Sequence, residues 1–230
     1  MSLVDINWNS GMNAPTHAGG TSGRMVAAMV VSAGALISGG ANASVVAGWN
    51  MNSVDPTSAL TLNASVGNGV LDFTAFGDNS SVLLGTAVGA LKGDLAGDAL
   101  SVAGNAFNGV SLVFSFDTTG YQDLTLSLAT RRSTTGFALN RIEYWNGLGW
   151  NTAASFGAST TAWELKSFDL SAIDAIENGF ATLRITLDGA TGATGSIRFD
   201  NVTFSTSAIP APGALALLGL ASLAARRRRS

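Results

Sequence analysis

The sequence predicts an all-β chain folded as an antiparallel β-sandwich, with jelly-roll-like connectivity and one short helix. Three segments alternate apolar and polar residues, namely residues 110–116, 124–129 and 180–187. A period of two is typical of strands that bury one face. Glycine clusters with Asn or Asp separate these segments, and short strands divided by frequent turns favour a sandwich or barrel. Residues 65–109 are glycine-rich and weakly periodic, so irregular strands and long loops are expected there.

The predicted helix covers residues 171–178. Ser171 is a suitable N-cap, because its hydroxyl can accept a hydrogen bond from a free backbone N–H of the first turn. Gly179 follows directly, and glycine is the preferred residue just past the end of a helix. We therefore expect one short helix between two strands of the sandwich.

The start of the chain, residues 1–43, is typical of an N-terminal extension followed by a signal peptide. Residues 25–37 form an apolar run of signal-peptide length, with an arginine immediately ahead of it. Ala41 and Ala43 form a small-x-small cleavage motif, which predicts cleavage before Ser44. The alternative interpretation of the apolar run is a buried N-terminal strand or helix.

The end of the chain, residues 209–230, combines a proline-rich break, an apolar run at 214–225 and four arginines. The run is shorter than the roughly 20 residues of a permanent membrane span, and the arginines favour the cytoplasmic side. This order predicts a short transmembrane helix with a stop signal. A buried C-terminal helix is the alternative, but an all-apolar helix followed by four charges does not suit a soluble core. The residues that carry the signal are Pro210, Pro212, Gly213, Arg226, Arg227, Arg228 and Arg229.

This tail resembles the PEP-CTERM sorting signal, whose usual pattern is Pro-Glu-Pro, an apolar helix and a terminal arginine cluster. Pro210-Ala211-Pro212 stands in place of Pro-Glu-Pro, so the glutamate is missing, whereas the later parts of the pattern are present. The resemblance implies recognition by an exosortase-type membrane protease and transit through the inner membrane. It also implies cleavage near the prolines and release or transfer to the cell surface.

The ectodomain expected between the two signals, residues 44–208, is acidic and lacks cysteine and histidine. Seven lysines and arginines stand against fourteen aspartates and glutamates, a net charge of −7. Because no basic stripe is present to displace counterions, nucleic acid is not an expected partner. The single histidine of the chain, His17, precedes the predicted cleavage site. Ser-His-Asp and Cys-His catalysis and ordinary zinc sites are therefore excluded.

The first candidate site is a hairpin with an Asn-Gly turn, a strong hairpin signal. If residues 146–149 form the loop, Trp145 and Trp150 face each other across two strands. One interpretation is simple cross-strand packing. The other is an aromatic platform for glycan binding, with Tyr144 or Trp163 nearby, because flat exposed rings present an apolar face to the C–H side of a sugar.

The second candidate site is residues 196–204, where the alternation slips at Asp200 and Asn201 and predicts a β-bulge. This segment resembles the closing strand of jelly-roll carbohydrate-binding modules, where an aspartate followed by Asn and Val helps to hold a structural calcium ion. The resemblance implies companion ligands on the first strand, here Asn50 and Asn52. Calcium takes six to eight oxygen ligands. The alternative is an ordinary bulge whose side chains bond to the backbone.

The third candidate is Arg131 with Arg132. Adjacent residues of a strand point to opposite faces. We expect one of these arginines to pair internally with an acidic residue and the other to face solvent, a structural role.

The favoured function is an exported cell-surface or extracellular-matrix protein whose ectodomain is a non-catalytic module that binds glycan or exopolysaccharide. One alternative is a purely structural surface protein. A glycoside hydrolase is the other alternative, and it would need two carboxylates. The spacing of the three glutamates, Glu143, Glu164 and Glu177, singles out no pair.

Overall fold

Residues 44–208 are the part of the chain that the computed structural model describes, and they form two stacked antiparallel sheets. The predicted β-sandwich is therefore confirmed. The strands in chain order are β1 (Ser44–Trp49), β2 (Thr61–Asn63), β3 (Val66–Gly67), β4 (Gly69–Asp72), β5 (Ser80–Leu84), β6 (Asp98–Ala103), β7 (Ser111–Asp117), β8 (Tyr121–Arg132), β9 (Leu139–Trp145), β10 (Trp150–Phe156), β11 (Glu164–Asp169), β12 (Phe180–Asp188) and β13 (Ser196–Ala208).

The seven-stranded sheet has the order β11-β8-β13-β1-β3, and β6 pairs with β13 and with β5. The six-stranded sheet has the order β10-β9-β12-β7-β4-β2. Most connections cross from one sheet to the other, in keeping with jelly-roll-type connectivity. Short 3-10 segments lie between the strands, at Thr74–Asn79, where Gly77 breaks the helical conformation, and at Leu91–Gly93, Asn105–Phe107 and Asp174–Ile176.

An aromatic cluster fills the space between the sheets. Trp49 of β1 meets Phe114 of β7 edge-to-face, with ring centroids 5.2 Å apart, and meets Phe204 of β13 at 6.2 Å. All three side chains are fully buried. The indole Nε1 of Trp49 donates a hydrogen bond of 3.0 Å to the carbonyl of Leu62, so its one polar atom is satisfied inside the core.

The predicted helix at residues 171–178 is reduced to the single 3-10 turn Asp174–Ile176, and no side chain caps that turn. Ser171 is therefore not an N-cap. The segment is shorter than the roughly 12–15 residues at which isolated helices become stable, so tertiary contacts decide its shape. Ile176 is buried, and its carbonyl accepts a hydrogen bond of 3.0 Å from Oγ1 of Thr118, which fixes the turn.

The expectation that Asn50 and Asn52 lie on the first strand is wrong. Strand β1 ends at Trp49, and Asn52 lies in a turn. Between the two asparagines, Met51 has a φ of 54° and is fully buried. The chain therefore turns at this point, and the period-two rule for strand faces does not apply.

The bulge predicted in the last strand is present. The register of β13 against β8 shifts between Asp200 and Thr203. Asn201 has a φ of 48°, a left-handed conformation that asparagine tolerates better than most residues.

The predicted signal helix and the predicted short transmembrane helix lie outside the described residues, in 1–43 and 209–230. Between residues 44 and 208, no helix is long and apolar enough to cross a membrane. The cleavage and sorting residues that also lie outside the described part are Ala41, Ala43, Pro210, Pro212, Gly213, Arg226, Arg227, Arg228 and Arg229.

Candidate functional site

The tryptophan hairpin forms with the predicted turn. Trp145 and Trp150 are directly paired across β9 and β10. The backbone N–H of Asn146 donates to the carbonyl of Gly149 at 3.1 Å, and the side-chain oxygen of Asn146 accepts two further N–H bonds within the turn. Gly147 has a φ of 89°, which only glycine adopts without strain. The turn therefore sets the pairing of the two tryptophans.

The two indole rings form a corner and not a flat plane. Their centroids are 5.6 Å apart and the ring planes meet at 66°. Trp145 is 40% exposed, whereas Trp150 is half-buried. The guanidinium carbon of Arg184 lies 4.3 Å from the centroid of the Trp150 ring, a cation–π contact that covers one face of this ring. Trp145 is therefore the more open ring of the pair.

A hydrogen-bond network beneath the hairpin holds Arg184 in place. The carboxylate of Glu143 accepts two bonds from this arginine, from Nε at 3.0 Å and from Nη2 at 3.2 Å. Oγ1 of Thr186 donates a hydrogen bond to the same carboxylate, and the hydroxyls of Thr186 and Ser111 are bonded at 2.8 Å. Because a bidentate pair fixes the guanidinium plane, the ring of Trp150 rests on a rigid support.

Glu143 is ionised in this network. Burial by itself raises the pKa of its carboxyl group, but hydrogen bonds from Arg184 and Thr186 and the positive charges of Arg184 and Arg141 outweigh this effect. The result is a pKa below the usual value of a glutamate. Glu143 is therefore suited to hold a cation in place and poorly suited to donate a proton near neutral pH.

The tryptophan pair lies at one end of a row of residues across the outer face of the six-stranded sheet. Because Leu183 pairs with Tyr144, Thr182 is level with Trp145 on β12. Thr182 pairs with Ser115 of β7, which in turn pairs with Val70 of β4. Neighbouring strands are about 4.8 Å apart, so the row from Trp150 to Val70, which crosses five strands, is about 19 Å long.

The other two aromatic candidates do not join the pair. Tyr144 alternates to the inner face of β9 and packs against the hydrophobic core. Trp163 directly precedes β11, an edge strand of the opposite sheet. The structure therefore brings together Trp145 and Trp150 and separates both from Tyr144 and Trp163.

No sequence pattern pointed to Arg184, to Thr186 or to the role of Glu143 as their partner. Arg184 interrupts an apolar alternating strand, which marks it as an outward-facing position. Its contact with Glu143 spans 41 positions of the chain, and only the register of β12 against β9 reveals it.

The predicted calcium ligand Asp200 is buried, with 1% of its surface exposed. Its two carboxylate oxygens accept backbone N–H bonds of 2.7 Å from Thr86 and Asn201. Burial raises the pKa of this carboxyl group to about 6, the two N–H bonds oppose the shift, and the negative charge of Asp98 adds to it. A buried carboxylate without a cationic partner among the described residues is an environment that favours a bound cation.

The other predicted calcium ligands point to separate partners. Nδ2 of Asn50 donates to Asp94 at 2.9 Å, and Oδ1 of Asn52 accepts the backbone N–H of Asp98 at 2.9 Å. Beside Asp200, a second oxygen faces the same small space: a Cβ on Gly85 would lie 2.5 Å from Oδ2 of Asp200 and 2.6 Å from the carbonyl of Asp98.

Two converging oxygens fall short of the six to eight that calcium takes. Between residues 44 and 208, no group of three or more His, Cys, Asp or Glu side chains could hold a metal ion. Backbone carbonyl and side-chain amide oxygens can also bind calcium, and they do not belong to these four side-chain types. Calcium at Asp200 therefore stays a prediction.

The hydrogen-bond partners of the adjacent arginines, Arg131 and Arg132, differ from the expected acidic partner. Arg132 bonds to backbone carbonyls and not to an acidic residue: Nε donates to Ala158 at 3.0 Å, and Nη1 donates to Ser133 and Thr134 at 3.1 and 3.0 Å. Arg131 is half-buried and lies directly opposite another arginine, Arg198 of β13.

No protein-family model and no curated protein matches the chain. A CBM22-1 xylan-binding domain of Xyn10C from Paenibacillus barcinonensis is 9% identical, with a TM-score of 0.43, over 73% of this chain and 97% of that domain. The CBM22-1–GH10 modules of a Clostridium thermocellum xylanase, complexed with xylohexaose, are 15% identical, with a TM-score of 0.42, over 70% of this chain and 28% of that one. At these TM-scores the similarity assigns neither a family nor a ligand to this chain.

The ion pair of Glu143 and Arg184 makes stability depend on pH in a defined direction. Because folding lowers the pKa of Glu143, its contribution is present above the ordinary glutamate value near 4.5 and is lost as pH falls through the folded value. Urea unfolding of wild type and Glu143→Gln, between about pH 3 and pH 7, should show a stability difference that shrinks at low pH. A difference that stays constant across this range would contradict the assignment.

Calcium should raise the melting temperature of the wild-type protein if Asp200 helps to hold the ion, because a ligand of the folded state alone stabilises it. A chelator should lower the melting temperature again. Asp200→Asn, which keeps the shape of the side chain but removes its charge, should abolish the difference between the two conditions. Identical melting curves with calcium and with chelator, in the wild type, would leave Asp200 as an ordinary bulge residue.

Proposed function

We propose that residues 44–208 act as a non-catalytic glycan-binding module, in which Trp145 is the principal sugar contact and Trp150 its partner. The observation that carries this proposal is the exposed indole of Trp145 beside a second indole that rests on Arg184. A large aromatic side chain that is exposed at the tip of a rigid hairpin contributes little to a core. It can instead bury its apolar face against the C–H groups of a sugar.

The angle between the rings indicates the form of glycan. Rings that meet at 66° cannot lie together on a flat crystalline surface. They can contact two sugar units whose rings are turned relative to each other along one chain. The row of hydroxyl-bearing residues that continues from Trp145 through Thr182 and Ser115 offers hydrogen bonds to further units. The ligand we propose is therefore a single, soluble polysaccharide chain.

The placement of the glutamates supports a non-catalytic role. Glu143 is held by Arg184 on the six-stranded sheet, whereas Glu164 pairs with Lys166 at 2.8 Å on an edge strand of the other sheet. Glu177 lies between β11 and β12 and accepts the backbone N–H of Asp123. A glycoside hydrolase needs two carboxylates facing one sugar bond, at about 5–9.5 Å from each other.

We propose further that the chain is exported and sorted by a PEP-CTERM and exosortase system. The support is the order of the two terminal signals: an apolar run with a small-x-small motif before Ser44, and a proline break, apolar run and arginine cluster after Ala208. A glycan-binding module carried to the cell surface or matrix would meet exopolysaccharide there. A purely structural surface protein shares this sorting but not the sugar contact.

Trp145→Ala should abolish retention of the protein on soluble xylan in affinity electrophoresis, while the melting temperature stays near that of the wild type. The matched control is Leu148→Ala, which removes another apolar side chain, 92% exposed, from the same turn. Loss of retention in the control as well, or retention by Trp145→Ala across a panel of neutral soluble glycans, would favour the structural alternative.

Mass spectrometry of the protein recovered from the cell surface or medium should show a C-terminus near Pro210–Gly213, because cleavage is expected at the proline motif. Replacing Arg226, Arg227, Arg228 and Arg229 by serine should weaken the stop signal and misdirect the chain. An intact Ser230 on extracellular protein would refute the sorting proposal.

A further inference from the structure

The positive charges of the described residues are distributed unevenly. Three of the cations each have an acidic partner: Arg141 with Asp188 at 3.7 Å, Lys166 with Glu164 at 2.8 Å, and Arg184 with Glu143 at 3.0 Å. Among the side chains described between residues 44 and 208, the cations without an acidic partner lie together in one place. They are Arg131, Arg132 and Arg198.

Two of these arginines are placed against each other. Arg131 of β8 pairs directly with Arg198 of β13, and both side chains are half-buried. Like charges directly opposite on neighbouring strands destabilise a sheet. Burial and the charge of Arg131 lower the pKa of the Arg198 guanidinium, which reflects the same unfavourable contact. The domain is acidic and has many carboxylates, yet none of those described between residues 44 and 208 neutralises this pair. Folding stability does not explain why two arginines are placed opposite each other.

The three arginines line one recess of about 220 Å³ on the seven-stranded sheet. The hydroxyl-bearing residues Ser133, Thr134, Thr160 and Ser196 line it with them. The volume is below the roughly 300–1,000 Å³ of pockets for whole drug-sized ligands, so the recess suits one charged sugar or one charged group. We call it the arginine recess.

The frame of the arginine recess is rigid before any ligand arrives. Arg132 is fixed by its three bonds to backbone carbonyls. The backbone N–H of Ser133 donates to the carbonyl of Ser196 at 2.9 Å, and its hydroxyl oxygen accepts the N–H of Ser196 at 2.9 Å. Gly136 packs so closely on Ser196 that a Cβ would lie 2.0 Å from the carbonyl oxygen. A pre-formed recess loses little conformational entropy on binding.

We propose that the arginine recess binds an oxyanion carried by an acidic polysaccharide, a carboxylate or a sulfate on a sugar ring. A planar carboxylate or a sulfate accepts the forked N–H groups of guanidinium side chains and neutralises two facing charges at once. Trp163 supports a sugar as the carrier: it precedes Glu164, which pairs with Thr130, so it is level with Arg131 at the edge of the sheet.

The ligand class rests on the proposed glycan-binding function, but the arginine recess is a separate site. The tryptophan pair is on the six-stranded sheet, and the recess is on the seven-stranded sheet. The two sites can therefore be tested and lost independently.

Calorimetric titration of the purified full chain with oligogalacturonate, and with the same oligosaccharide as its methyl ester, tests the charge requirement. The ester keeps the sugar rings and removes the anion, so its binding should be at least about tenfold weaker. A sulfated galacto-oligosaccharide distinguishes the two oxyanions. Tighter binding of either one than of a neutral oligosaccharide supports the site when Arg131→Ala and Arg198→Ala remove the preference, because Arg226 to Arg229 also attract anions. Equal binding of the acid and its ester, together with no preference for the sulfated sugar, would overturn it.

Arg131→Ala and Arg198→Ala should each weaken binding of the preferred anionic sugar about tenfold or more, because each removes a charged hydrogen-bond donor. Arg141→Ala removes the same charge from the other sheet and should leave the affinity unchanged. Arg226 to Arg229 are present in all of these variants, so they contribute the same background binding of anions to each. Full affinity in both Arg131→Ala and Arg198→Ala would overturn the proposal.

Two further readouts separate binding from folding and from the tryptophan site. Without ligand, Arg131→Ala should melt at the wild-type temperature or higher, because it removes a like-charge contact. Trp145→Ala should retain the affinity for the anionic sugar even where it loses neutral xylan. A large drop in the melting temperature of Arg131→Ala would show that the arginine pair serves stability and would overturn the site.

Discussion

The aromatic contact between the two sheets is the constraint on which the rest of this structure depends. Trp49 and Phe204 belong to one sheet and Phe114 to the other, and their rings meet edge-to-face in the centre of the core. Because the chain has no cysteine, apolar burial and backbone pairing must hold the layers together without disulfides. Because these side chains fill the space between the inner faces, the residues on the outer faces are not needed for core packing and can bind ligands.

Local pattern was sufficient for strands β7, β8 and β12 and for the tryptophan hairpin. Alternation at residues 180–187 and the Asn-Gly turn both act over a few positions, so the sequence carries them directly. It could not show that the segment at 171–178 is held as a 3-10 turn by Thr118, because that contact comes from the distant loop between β7 and β8. The contacts of Arg184 with Glu143 and of Arg131 with Arg198 depend on strand register, which no local pattern encodes.

The arginines of the two outer faces have different environments. This difference distinguishes Arg184, which supports Trp150, from the arginines of the proposed binding site. Arg184 is neutralised by the two oxygens of Glu143, so its remaining surface can only stack on Trp150. Arg131 and Arg198 face each other with no carboxylate between them. An anion that approaches a neutralised cation gains little binding free energy, because the cation would have to give up an existing partner. An anion that approaches an unneutralised pair gains more binding free energy, since it also removes the repulsion between the two cations.

The net charge of residues 44–208 bears on the selectivity of the proposed arginine recess. A net charge of −7 between residues 44 and 208 repels a polyanion at long range, so electrostatic steering does not favour acidic chains in general. Only a group that reaches the arginines comes close enough for attraction to exceed repulsion, since salt screens charges beyond about 8–10 Å. In the proposed function, a neutral stretch of the same polysaccharide would lie on the tryptophans of the other sheet. The two proposed sites would then act together as a bivalent binder, whose avidity for a polysaccharide network exceeds the affinity of either site alone.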